Sequence, residues 1–103
     1  MTPFQHDVPE AFGREMGCTV ADFERSLPGA AAPCPLHTAA SGSGRIDIGD
    51  GRLDLRWREL PPRQIALVRF PRLQVDFAFS AVGAASRRDF MHRFDRYMQR
   101  GGG

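Results

Sequence analysis

Lysine is absent from this chain of 103 residues, and all fourteen of its basic side chains are arginine. Physically, that favours forked, planar contacts to carboxylate or phosphate over point charges. A codon supply that also enriches alanine, glycine and proline gives the same result, so the absence alone names no partner. Cysteine is scarce. Two residues, Cys18 and Cys34, make no disulfide framework, and reduced thiols in a cytoplasmic protein are the expectation. No run approaches the roughly 20 apolar residues that cross a bilayer, so no membrane is expected. The opening MTPFQHDVPEAF has neither a basic nor an apolar segment of the kind a signal peptide needs. Also missing are G-x-S-x-G, H-E-x-x-H and a phosphate-cradling glycine loop, and with them the usual signs of an enzyme.

What remains fits one small domain, which at this length buries roughly 65% of its unfolded surface. Its net charge is only +2, unevenly spread. Residues 1–50 hold three arginines against seven acids, and residues 51–103 hold eleven against five. Such asymmetry marks either an anion-binding half or two faces of one domain attracting each other.

The segment 1–27 is expected to be helical. Thr19 stands three residues before Asp22 as a capping box, Val20, Phe23 and Leu27 share a face, and Pro28-Gly29 closes a short helix over 20–27. A weaker helix, capped by Asp7 and opening at Pro9, would place Phe12 and Met16 on one face, with Gly13 inside it at a cost of about 1 kcal/mol. Residues 28–44, PGAAAPCPLHTAASGSG, show no period and are expected to form a flexible loop.

Residues 45–80 read as a four-stranded antiparallel meander. Gly49-Asp50-Gly51 is a hairpin signal, after which Leu53, Leu55 and Trp57 alternate with Arg52, Asp54, Arg56 and Arg58. Pro61-Pro62 would turn the chain, IALVRF would form an interior strand, and Pro71 would break it. Leu73, Val75, Phe77 and Phe79 then alternate again. The spacing predicts a helix over 86–100, started by Ser86 and Asp89. Phe90, Met91, Phe94, Tyr97 and Met98 form its apolar stripe, and Gly101 sits at the cap. The expected fold is therefore α+β: the four-stranded antiparallel β-meander, the C-terminal helix packed on one face, and one or two short N-terminal helices.

Three functional readings follow. The leading one is a small non-enzymatic binding or assembly module whose partner, an acidic protein or a polyanion, meets an arginine-bearing surface. A homo-oligomer built through a sheet edge belongs to the same reading. Arg87 and Arg88 occupy the first turn of the last helix, where the macrodipole disfavours positive charge. Arg52, Arg56 and Arg58 stand on the wet side of the sheet. Arg93, Arg96 and Arg100, near the C-terminus, need no partner to explain them. VDFAF is similar to the core of an RNA-binding sheet motif, yet the flanking glycine and basic residues are absent.

The second reading joins Cys18, Cys34 and His37, with His6, as ligands for zinc; the Cys-Pro dipeptide also suits thiolate-bound haem. In the first reading no cofactor is needed. The third starts from the glycines at 101–103, which resemble the tails of ubiquitin-like modifiers and sulfur carriers. The resemblance covers those glycines alone and implies a carrier with a reactive C-terminus.

Overall fold

The computed structural model describes residues 7–100. Its elements are β1 (Ala11–Met16), α1 (Val20–Ala31), β2 (Leu36–Ala40), β3 (Ser43–Ile48), β4 (Gly51–Ile65), β5 (Val68–Ser80) and α2 (Ala84–Arg100). The strands form one antiparallel sheet in the order β1-β5-β4-β3-β2. The α+β class and the C-terminal helix agree with the sequence reading, but the sheet has five strands rather than four.

The strand from β4 through β5 alternates as the pattern requires. Leu53 lies opposite Phe79, Leu55 opposite Phe77 and Trp57 opposite Val75, all on one face. Both helices cover that face. Phe94 meets Phe77 edge-on at 5.5 Å between ring centres, Phe90 meets Phe79 at 6.2 Å, and Phe23 of α1 tilts against Trp57 at 5.0 Å. Phe77, Phe79, Phe90, Phe94 and Trp57 thus share one core with Leu27, Ile46 and Leu73. Each such side chain contributes about 1.5–3 kcal/mol of burial.

β1 replaces the weak helix expected from Asp7 and Pro9. Phe12, Arg14 and Met16 pair across from Phe77, Val75 and Leu73, and a strand lets Phe12 stack on Phe77 at 4.7 Å. With Gly13 interrupting the helical pattern, tertiary pairing decides the conformation.

The Thr19 cap is present, its hydroxyl accepting from the Asp22 amide at 3.0 Å. The helix it starts does not stop at Pro28-Gly29 but runs to Ala31. A proline inside a helix costs about 3 kcal/mol. The buried Ala30 and Ala31 offset this by closing the core against α2, where Gly29 lets the Tyr97 ring lie so near that an added Cβ would fall 2.2 Å from it.

Residues 28–44, expected as a loop, hold the end of α1, all of β2 and the start of β3. Leu36 pairs with Ile46 and His37 with Arg45, so a neighbouring strand supplies what the composition lacks. Gly42 makes the β2–β3 turn at φ +85°, and its carbonyl accepts from the Trp57 amide at 2.9 Å. α2 begins two residues before Ser86, the Gly83 carbonyl accepting from the Arg87 amide. Gly101 and the terminal glycines lie outside the described residues.

The largest departure concerns the middle of the chain. Pro61-Pro62 does not turn it, IALVRF is not an interior strand, and Pro71 does not break β5. Pairing of β3 with β4 ends at Ser43–Arg56, and pairing of β1 with β5 ends at Met16–Leu73. Beyond Leu60–Arg72, β4 and β5 have only each other among the described residues, through Arg63–Phe70, Gln64–Arg69 and Ile65–Val68. The chain reverses at Ala66-Leu67, with Ala66 at φ +53°. The result is a two-stranded arm reaching roughly 20 Å past the sheet at about 3.4 Å per residue. Proline is tolerated there because an arm strand has a free side, where a missing N–H breaks no ladder. The ladder also slips between Leu60 and Arg63 to accommodate the proline pair.

Candidate functional site

Every residue from Pro61 to Pro71 is exposed. Leu67 at the tip is 96% exposed, Ile65 57%, Val68 53% and Phe70 46%. These are large apolar side chains on a ribbon that has no third strand among the described residues. Strand alternation puts Ile65, Val68, Arg63 and Phe70 on one side of the arm and Gln64 and Arg69 on the other. At the arm's root, Arg72 holds Glu15 of β1 at 2.8 Å and the Pro61 carbonyl at 3.1 Å. That bond holds the Glu15 carboxyl below its ordinary range.

Beside the root lies a groove of about 380 Å³ between α1 and β2. Leu27, Pro28, Leu36 and Trp57 give it apolar walls, Thr38 and Ser41 line the β2 side, and Glu24 stands at its rim. The Glu24 carboxylate accepts from the Trp57 indole at 2.9 Å and fixes the ring. Among the described residues β2 pairs only with β3, so its outer edge is open.

The arginines singled out from the sequence separate into two groups on opposite faces. Arg52, Arg56 and Arg58 stand on the face away from the helices, and Arg52 is paired with Asp54 at 3.2 Å. Arg56 and Arg58 make no ion pair among the described residues. Arg87 is committed elsewhere: its Nε donates to the Val8 carbonyl at 2.8 Å and its Nη1 to the Val82 carbonyl at 2.7 Å. It thereby clamps the segment before β1 to the start of α2. Arg88 is exposed on the outside of α2, in a shallow depression with His92 and Arg96. No single surface gathers Arg52, Arg56, Arg58, Arg87 and Arg88.

Nor do Cys18, Cys34 and His37 converge. Cys18 is buried in the core, and burial, with Asp22 adding to it, pushes its thiol up. Cys34 packs at the edge of that core. His37 points to the other side of the sheet, where it bonds Asp47 at 2.8 Å and draws that carboxyl below its ordinary range. No group of three histidine, cysteine or acidic residues among the described residues is placed to hold a metal ion; His6 lies outside them. The His37–Asp47 pair has the orienting half of a general-base arrangement. No serine or cysteine among the described residues is hydrogen-bonded to it.

Sequence reasoning missed the arm's apolar residues and the Trp57–Glu24 contact. A signal was available for the first: Pro61 and Pro71 bracket Ala66-Leu67 almost symmetrically, and prolines in strands belong to edges. No such signal marks the second. No helix among the described residues is long and apolar enough to cross a membrane. No protein-family model matches the chain, and no curated protein resembles it closely enough to serve as a relative.

Proposed function

We propose that this protein is a small non-enzymatic binding or assembly module whose partner is a protein gripped by the β4–β5 arm. The observation that carries this reading is the exposure of Ile65, Leu67, Val68 and Phe70 on a ribbon without a cover. An isolated two-stranded hairpin is marginally stable in water, and contiguous exposed apolar side chains mark interaction sites. The arm's chemistry is that of a protein interface: an apolar centre flanked by Arg63 and Arg69. A nucleic acid would call for cations at the tip, and the tip residues Ile65 to Val68 carry none.

The test replaces residues 61–71 by Asn-Gly, the dipeptide that two-residue hairpins favour. The shortened chain should fold with the same circular dichroism per residue in its helices, because no core residue lies within the replaced segment. Wild-type protein immobilised from its own cells should retain a stoichiometric protein, itself or another, that the shortened chain releases. Identical retention by both would rule the arm out.

A further inference from the structure

We propose that the protein gripped by the arm is a second copy of this chain, each arm of a two-fold pair lying across the other's groove between α1 and β2. This rests on the arm reading above and adds an occupant to it. Arm and groove stand at the same end of the molecule. The groove is lined by Ser41 and Trp57, and Trp57 is hydrogen-bonded to Gly42 in the turn beside the arm's root. A two-fold axis near that end therefore brings each arm to the other's groove and closes the contact, leaving no sticky end to propagate a fibre.

The two surfaces are complementary in three ways. The arm's tip offers aliphatic side chains, Ile65 and Leu67, and the groove offers aliphatic and aromatic walls of about 380 Å³ around them. Between Leu60 and Arg72 the arm carries Arg63 and Arg69 and no acid, whereas the exposed ionisable group on the groove's rim is Glu24. The backbone agrees as well: the arm's strands have open outer sides and β2 has an open edge. Strand addition would supply both with ladder partners, the usual remedy for an exposed edge.

Analytical ultracentrifugation of the full chain, with Leu67→Glu and Thr38→Arg variants, tests this. Both positions are exposed, so neither variant should disturb the fold, and circular dichroism checks that. Wild type should sediment as a dimer, and each variant should dissociate with a dimer constant weakened about tenfold or more, as for a residue at an interface centre. An equimolar mixture of the two variants should associate where neither does alone, because one intact arm then meets one intact groove. Wild type that stays monomeric through the high-micromolar range overturns the second copy and leaves the arm to a different protein. A dimer that Leu67→Glu leaves intact overturns the second copy as the arm's occupant, while the arm reading itself stands or falls with what the shortened chain retains. Loss with Leu67→Glu but not with Thr38→Arg overturns the groove as the arm's seat.

Discussion

Arg14 is the residue whose surroundings least resemble its chemistry. It stands on the covered face of the sheet, its guanidinium 5.3 Å from the centre of the Phe77 ring and 5.7 Å from that of Phe12. Asp95 of α2 receives it at 2.6 Å, with the two side chains only 21% and 23% exposed. Removing one partner of a shielded pair leaves the other desolvated. Asp95→Ala should therefore cost about 1–3 kcal/mol by urea unfolding, while substituting exposed Asp89, nearer the start of the same helix, should cost under about 0.5 kcal/mol. Equal losses would mean that the pair adds nothing beyond an ordinary surface charge.

Three carboxylates near the surface set the acid limb of stability. Glu15 is lowered chiefly by its hydrogen bond with Arg72, Asp22 by Thr19 and then Arg25, and Asp47 by His37. A depressed folded value stabilises the protein above the unfolded carboxylate range, near pH 4, and the contribution disappears as pH falls through the folded values. Thermal midpoints should be level from neutral pH to about pH 5 and decline below about pH 4. Glu15→Gln with Asp22→Asn and Asp47→Asn should flatten that decline; an unchanged limb would locate it in other groups.

Among the elements, α1 and the arm show how proline misleads in opposite directions. In α1, Pro28 withholds a donor from the Glu24 carbonyl one turn back, yet the helix continues because Ala30 and Ala31 bury themselves. Pro28→Ala at this exposed site should restore that bond and raise stability by about 1–2 kcal/mol, after allowing for the freer unfolded chain. A measured loss would show that the ring's contact with the groove outweighs the bond.

What could be read from sequence was what is periodic and local: the Thr19 cap, the Gly49-Asp50 hairpin, the alternation of Leu53–Trp57 and Leu73–Phe79, and the stripe of α2. What could not was whatever depends on a distant neighbour. β1 is a strand because β5 lies beside it, and β2 because β3 does. Ile65–Val68 is apolar in the manner of a buried strand, and only the early ends of β1 and β3 reveal that none of the described strands covers it. Of the candidate residues, Arg56, Arg58 and Arg88 stand exposed as their positions implied. Arg87 is taken up by two carbonyls that sequence spacing could not place.

At the scale of the molecule, charge and shape fall together. The basic half of the chain supplies the arm and α2, and the acidic half supplies α1, whose Glu24 stands at the groove. Its extents of 47 × 32 × 22 Å describe a slab rather than a ball. One broad face holds both helices. The other is a lattice of alternating charges, in which Arg45 pairs with Asp47 and Arg52 with Asp54 at 3.2 Å. Exposed pairs of that kind contribute roughly 0–1 kcal/mol each, so this face adds little to the stability of the fold.

The placement of β1 and β2 on opposite edges, with α1 as the tether between them, gives the two flanks of the sheet different histories during folding. β2 to β5 follow one another as hairpins, so their pairings close short loops. β1 must find β5 across more than half of the chain, joining Ala11 to Ala78. Closing short loops costs less entropy and comes sooner. Pulse-labelled amide exchange during refolding should find β3, β4 and the body of β5 protected before β1. Simultaneous protection of all five strands would indicate that the long closure is itself part of the nucleus. If β1 arrives last, the β5 flank stays open for a time in every newly made chain, and there a nascent copy is most vulnerable to pairing with the wrong neighbour.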